Sequence, residues 1–322
     1  MDSMFYETHI KLHTYLLENG FAAADTNSHE MIRNFNADNL LYEMTACLTV
    51  TWYDELNTLY KIIDGFLCIA NFYQDGDFSF FIVHSACADK KCEKNNLQQI
   101  INTLYDISIR AGLNSLPVWG IEERFLDDYR QLKGYNIETG YNDNMSEYVF
   151  KAENLLNLQG SVNEEKRRQL RKFMDRPDIS LHIMTKENVK LCLEIENQWC
   201  SLQDCNLCKS FAGCSKRTLE IMTDIFDGSI YQGILGYIDG KLEGYIIFEK
   251  ISEDLVYFYF AKTTASNFSV YLYYICVQRY MSKAVKINIG ADLGINGLKL
   301  FKRRLGIYDL QKKYFCNFIK EG

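Results

Sequence analysis

The sequence predicts an α/β chain in which one unit is written twice. Three observations carry that prediction. The first is a repeated hairpin: Tyr60–Tyr73 and Leu235–Glu249 each set an Asp-Gly pair, Asp64-Gly65 or Asp239-Gly240, between two runs rich in β-formers. Gly accepts the positive φ of a tight turn, so Asp-Gly between such runs signals a two-residue hairpin. The second is order. In each half a third run follows, Phe78–Val83 or Leu255–Phe260, then a helical pattern, then a short strand ending at Gly120 or Gly290, then a helix ending at Gly134 or Gly306. The intervals between these landmarks nearly match, which suggests duplication. The third is the lack of a linker. Only Pro117 and Pro177 occur, and no Ser- or Pro-rich stretch parts the halves. They are expected to pack together as domains 1–155 and 156–322, with a shared cleft.

The 322 residues suffice for two domains, each with its own core, and 48% apolar with 24% charged residues is ordinary for a globular protein. A net charge of −7 excludes nucleic-acid binding through the overall field, so an anionic partner needs a local basic patch. No run approaches the roughly 20 apolar residues of a transmembrane helix. Met1–His9 lacks the basic and apolar regions of a secretory signal, which predicts a cytoplasmic chain. The 11 Cys, an odd number at irregular spacings, argue for thiols over a disulfide framework.

In order, residues up to about Asn39 read as helical, with Ile10, Leu12, Leu16 and Leu17 as a partial stripe and Gly20 as a stop. A helix and then a strand near Leu48–Tyr53 precede the first hairpin. Leu97, Ile100, Ile101 and Leu104 mark one face of a helix that Gly112 ends. Leu116–Trp119 reads as a strand, Ile121–Leu132 as a helix, and Tyr135–Phe150 as the strand region completing the first sheet. The second half opens on an amphipathic helix, Glu164–Met174, and continues with strand Ile179–Met184 and helices Lys186–Trp199 and Thr218–Phe226. After the second hairpin and its third strand, Ala261–Asn267 reads as a polar turn before a Tyr-rich helix. Strand Lys286–Ile289, a Gly-rich loop to Gly297, a basic helix Leu298–Leu305 and a last strand region Tyr308–Ile319 finish the chain.

Three constellations could carry chemistry. Cys200, Cys205, Cys208 and Cys214 include one Cys-x2-Cys knuckle, which fits either a metal site or a loop of free thiols. On Glu164–Met174, Arg167 stacks with Arg171 and Arg168 with Lys172, a repulsion that a bound anion or the neighbouring Glu164 and Glu165 would relieve. The loop with Asp292, Gly294 and Gly297 precedes Lys299, Lys302, Arg303 and Arg304, and amides at a helix start beside cations suit a phosphate or carboxylate. No nucleophile elbow, Walker loop or dinucleotide fingerprint is present, and the five His are scattered.

Several of these residues also carry a resemblance. Asn157-Leu-Gln-Gly160 with Lys166-Arg167 and Phe173, then Asn288, Asp292–Leu298, Lys302 and Lys313-Tyr314, resemble an uncharacterised bacterial family related to the phosphatidylglycerol lysyltransferase C-terminal domain. Trp52 and the Asp64-Gly65 hairpin fit its first half. The resemblance implies two tandem GNAT-like acyltransferase domains with mixed, mostly antiparallel sheets. It implies an acyl or aminoacyl transferase whose donor is aminoacyl-tRNA, or less readily acyl-CoA. The acceptor would be an amine or hydroxyl on a lipid or cell-wall (peptidoglycan) precursor. Lys166, Arg167 and Arg171 would contact the anion, Asn288 and Lys302 would line the site, and Asp292 would be the base. No resident cofactor is implied. This chain departs from the family at Ile289, Gly290, Leu305 and Ile307, and it lacks the Gly-rich pyrophosphate loop of ordinary GNAT enzymes. Those departures favour the alternative, a non-catalytic ligand-binding or regulatory protein on the same scaffold.

Overall fold

The computed structural model describes the chain apart from residues 1–2, 36–40, 54–56, 74–76, 84–89, 159, 203–214, 283–284, 307–308 and 322. Two compact units emerge, one built on Met1–Met145 with Lys312–Gly322, the other on Ser146–Cys208 with Cys214–Gln311.

In the first unit the helices are α1 (Ser3–Glu18), α2 (His29–Phe35), α3 (Ala46–Thr51), α4 (Lys90–Arg110) and α5 (Leu126–Arg130). Its strands are β1 (Ala22–Ala23), β2 (Leu59–Ile63), β3 (Phe66–Phe72), β4 (Phe78–Val83), β5 (Leu116–Glu122), β6 (Tyr135–Tyr141) and β14 (Lys313–Lys320), in sheet order β1-β2-β3-β4-β5-β14-β6. The second unit has α6 (Ala152–Leu156), α7 (Glu164–Met174), α8 (Cys192–Leu202), α9 (Ser215–Ile225), α10 (Phe268–Tyr280) and α11 (Asn296–Arg304). Its strands are β7 (Glu147–Lys151), β8 (Ile179–Ile183), β9 (Tyr231–Ile238), β10 (Lys241–Lys250), β11 (Leu255–Thr263), β12 (Lys286–Ala291) and β13 (Asp309–Gln311). Read from β8, the second sheet runs β8-β9-β10-β11-β12-β7-β13. The two orders correspond strand for strand. The architecture is two tandem GNAT-like units with mixed, mostly antiparallel sheets, as the resemblance implied.

Both hairpins form as read. Asp64 and Gly65 have φ of 49° and 84°, and Asp239 and Gly240 have 51° and 74°, the pair of positive values that a type I′ turn requires. The α4 face is also as expected, with Leu97, Ile100, Ile101 and Leu104 all buried against Phe66, Cys68, Phe80 and Ile82. In the second unit, α7 and α10 cover the equivalent face: Leu170 and Phe173 meet Phe268, Tyr271 and Leu272 over Ile246, Phe248 and Phe258.

The structure departs from the sequence reading at β1, a strand within the stretch read as helical to about Asn39, at Ile121–Leu132, where β5 runs to Glu122 and the helix is Leu126–Arg130, and in four further places. Leu48–Tyr53 is not a strand. Thr45 caps α3 with its hydroxyl, 3.5 Å from the Leu48 amide, and the β-branched run Thr49-Val50-Thr51 is helical and buried. Tyr135–Phe150 does not complete one sheet, because β6 stays in the first while β7 joins the second. The last strand region divides in the opposite sense, β13 staying in the second sheet and β14 pairing with β5 and β6. Each sheet thus receives its sixth strand from the other half of the sequence. Finally, β11 runs on to Thr263 and β12 to Ala291, into segments read as turns.

Candidate functional site

The second unit holds two polar clusters, and strand irregularities create both. Parallel strands β11 and β12 pair only at Leu255↔Lys286, Val256↔Ile287 and Tyr257↔Asn288 among the described residues. Both then run on, so they part at Tyr257 and Asn288. From Phe258 to Thr263, β11 keeps its partner β10 on one side only. The departing stretch of β12 carries a bulge against β7 between Asn288 and Ala291, centred on Gly290 at φ 68°.

Asn288 clamps that bulge. Its Oδ1 accepts from the Gly290 amide at 2.8 Å, and its Nδ2 donates to Glu147 Oε2 at 2.6 Å. Asn288 and Glu147 are both wholly buried. Lys302 reaches in from α11 and donates to the carbonyls of Ile289 and Ala291, the latter at 2.6 Å. Its ammonium lies 5.7 Å from the centre of the Tyr148 ring. Two carbonyl dipoles and a ring face offset the cost of burying that charge. Asp292 follows the bulge and is 1% exposed. Its Oδ2 accepts from the Tyr148 hydroxyl and its Oδ1 from the Gly294 amide at 2.8 Å. Burial, and donation to the Asp292 carboxylate, raise the Tyr148 pKa. The Ser146 hydroxyl is buried nearby in sequence with no hydrogen-bond partner among the described residues.

The second cluster lies between β11 and α8. Register slips between β10 and β11, so that Ile247 faces Phe260 and Phe248 faces Phe258, with Tyr259 as the extra residue. The extra residue resets the alternation and places Lys262 opposite Tyr245, under α8. There Lys262 donates to Glu196 and to Ser215 Oγ at 3.0 Å, with its ammonium 4.2 Å from the centre of Trp199. Glu196 is 1% exposed.

Of the residues singled out in the sequence, Asn288, Asp292 and Lys302 meet at the Gly290 corner. Lys166 lies next to the far end of α11. It is buried, desolvation lowers its pKa, and a methyl group built on Gly306 would sit 3.3 Å from its Nζ. Arg167 donates to the carbonyls of Leu158 and Gly160, and Arg171 donates through Nε to that of Arg167 at 3.4 Å. Cys205, Cys208 and Cys214 lie outside the described residues. Cys200 is partly buried, and no metal-binding group of three or more His, Cys, Asp or Glu occurs among the described residues. No helix among them is long and apolar enough to cross a membrane.

Sequence reasoning missed Glu147, Tyr148, Glu196 and Lys262. Glu147 and Tyr148 stand on a strand read as belonging to the first sheet. Their one legible signal was the duplication itself, since β7 occupies the place that β14 fills in the other unit. Nothing in the sequence marks the extra residue that carries Lys262 to the α8 face.

The family model described as the C-terminal part of phosphatidylglycerol lysyltransferase matches residues 83–279. Among solved structures, a conserved protein of unknown function from Bacteroides thetaiotaomicron superposes with a TM-score of 0.80 at 17% identity, covering 93% of this chain and 99% of its own. The C-terminal domain of a putative lysylphosphatidylglycerol synthetase from Agrobacterium fabrum gives 0.61 at 11% identity, covering 90% and 91%. L-PGS from Bacillus licheniformis gives 0.56 at 12% identity, covering 97% and 92%. At these identities the likeness is one of fold. No curated protein matches the sequence. The family match spans more than half of the chain, and by that measure the chain belongs to the phosphatidylglycerol lysyltransferase C-terminal family.

Proposed function

We propose that the second unit transfers an aminoacyl group from an activated ester to a hydroxyl or amine of a lipid or cell-wall precursor. Aminoacyl-tRNA is the favoured donor and acyl-CoA the second choice. The observation that carries this reading is the parting of β11 and β12 beside the Gly290 corner. An extended acyl group can lie along the one-sided edge Phe258–Thr263. Backbone amides there can polarise its carbonyl as the tetrahedral intermediate forms. Holding donor and acceptor in that wedge supplies most of the rate by orientation.

Attack by the acceptor oxygen or nitrogen forms the new acyl bond and breaks the bond to the donor, and the proton that the acceptor gives up is returned to the departing donor oxygen or sulfur. In this reading Asp292 is the base and Tyr148 its relay: the acceptor's proton passes to Tyr148 Oη while the phenol proton passes to Asp292 Oδ2. Lys302 and Asn288 fix the bulge that aims both groups. Lys166 and Arg171 are the proposed contacts for donor phosphates, with Arg167 holding the loop before them.

One observation favours the non-catalytic alternative: both oxygens of Asp292 already accept hydrogen bonds inside the protein. Transfer assays decide between the two. Purified chain is given charged tRNAs or acyl-CoAs with phosphatidylglycerol vesicles and lipid-linked cell-wall precursors. Labelled product is expected from a charged tRNA, and Asp292→Asn should slow it about 10²- to 10⁴-fold, the usual span for a lost general base. The transfer reading fails if no donor turns over, or if Asp292→Asn keeps the wild-type rate.

A further inference from the structure

The outer face of α11 combines cationic and apolar side chains at the surface. The inner face is satisfied: Lys302 is buried on its carbonyls, Leu305 is wholly buried, and Phe301 packs 5.8 Å from Tyr273. Leu300 is 55% exposed on the outer face, and Ile295, at the helix start, is 55% exposed as well. Arg304 stands four residues beyond Leu300, on its side of the helix, and is exposed; Arg303 is exposed too, but it also interacts with the Tyr148 hydroxyl. Lys299 is half-buried beside them. From Ile295 to Leu310 the only acidic residue is Asp309, in a chain of net charge −7. The equivalent helix of the first unit, α5, carries Asp127, Asp128 and Arg130, and no such surplus of positive charge.

We propose that this face docks the protein on an anionic lipid surface. Exposed Leu and Ile tips gain by entering the boundary between headgroups and acyl chains, and gain nothing against a hydrated phosphodiester backbone. The cations beside them are drawn to the negative potential of an anionic leaflet. The pairing of the two therefore selects lipid over RNA. Docking in this pose brings headgroups to the helix that holds Lys302 at the Gly290 corner. That consequence rests on the transfer reading, but the docking does not.

The test is co-sedimentation of the full chain with vesicles of phosphatidylcholine, of phosphatidylcholine mixed with phosphatidylglycerol, and of phosphatidylcholine mixed with phosphatidylserine. Binding is expected to both anionic mixtures and to weaken with added salt. With each cation near the surface contributing about fivefold, the Lys299→Gln/Arg304→Gln double variant should bind about thirtyfold more weakly. Leu300→Ser should also weaken binding, and that loss should persist at high salt. These side chains are at the surface, so folding is checked by near-ultraviolet circular dichroism. The proposal is overturned if wild type ignores anionic vesicles, or if the double variant binds them as wild type does. It is also overturned if the same cations serve binding of tRNA alone. Docking on phosphatidylglycerol but not phosphatidylserine would narrow the site to one headgroup. Docking without any transfer would leave this inference standing and remove the previous one.

Discussion

The bulges at Gly120 and Gly290 are the same piece of backbone dressed in different chemistry. Both glycines sit near the end of the strand that pairs in parallel with its neighbour, at φ of 70° and 68°. Both strands slip register there against the strand received from the other half of the sequence, β14 in one case and β7 in the other. Around Gly120 the contents are those of a core: Val118 stands where the other unit has Asn288, and the Phe81 ring and Met44 sulfur close over the glycine. Charge there is paired: Arg124 with the buried Glu122 at 2.9 Å, and the buried Lys313 with Glu43 at 2.6 Å. Around Gly290 the same geometry holds Asn288, Glu147, Asp292 and a buried Lys302. Duplication supplied two corners that were filled differently: an aromatic ring and ion-paired charges at one, and an amide, two carboxylates and a lysine held on backbone carbonyls at the other. The fold alone therefore does not locate chemistry in this protein; the contents of the corner do.

The sharpest way to break the comparison is to put a side chain on each glycine. A Cβ on Gly120 would meet Phe81 at 2.6 Å and 2.9 Å and Met44 sulfur at 3.3 Å, in a left-handed conformation. Strain and overpacking together should make Gly120→Ala cost about 4 kcal/mol. The left-handed strain at Gly290 makes Gly290→Ala cost about 1–2 kcal/mol. Urea unfolding of the two variants checks the difference, and equal losses would mean that Phe81 moves aside freely.

Next in size is the cation four residues before the glycine that ends the following helix. Lys302 precedes Gly306 as Arg130 precedes Gly134. Lys302→Met leaves the buried carbonyls of Ile289 and Ala291 without that donor, at a cost of about 3 kcal/mol. Arg130 is exposed and pairs with Asp127 at 3.5 Å, so Arg130→Met should cost under about 1 kcal/mol. Thermal denaturation of both variants measures the gap. Similar midpoints would show that the Gly290 bulge does not depend on Lys302.

How much of this was legible follows from which interactions are local. The hairpins were readable because two adjacent residues decide a type I′ turn. The buried face of α4 was readable because helical spacing decides it. The exchange of β7 and β14 was not, since alternation says which face of a strand is buried and nothing about which sheet it joins. Leu48–Tyr53 misled because β-branched residues suggest a strand, while the Thr45 cap and complete burial decided for helix. At the site, Asn288, Asp292 and Lys302 were accessible through loop composition and resemblance. Their partners Glu147 and Tyr148 are more than a hundred residues away and had no local mark. Arg167 and Arg171 show the converse limit. Cations stacked four apart look the same whether or not they already hold backbone carbonyls, as Arg167 does twice and Arg171 once.

The smallest difference concerns how each hairpin is tied to its unit. In the first, Lys61 Nζ donates to the carbonyl of Asn19 at 2.6 Å, a bond between an ammonium and a backbone group. In the second, the Asp239 amide donates to the carbonyl of Asp178 at 2.9 Å, and the Asp178 carboxylate in turn accepts from Arg176 Nε at 2.9 Å. Only the second tether includes a carboxylate. Arg176 holds the Asp178 carboxyl down to about 2, below its ordinary value. A depressed carboxyl stabilises the fold above its unfolded value of about 3.9 and loses that contribution as pH falls towards about 2. Asp178→Asn should therefore be slightly less stable than wild type at neutral pH. The difference should close between about pH 4 and pH 2, as protonation makes the wild-type side chain equally neutral. The group is at the surface, so added salt should shrink the difference as well. Thermal melts of the two proteins across that range are the measurement. A difference that stays constant with pH would mean that Arg176 anchors the second hairpin through something other than the Asp178 charge.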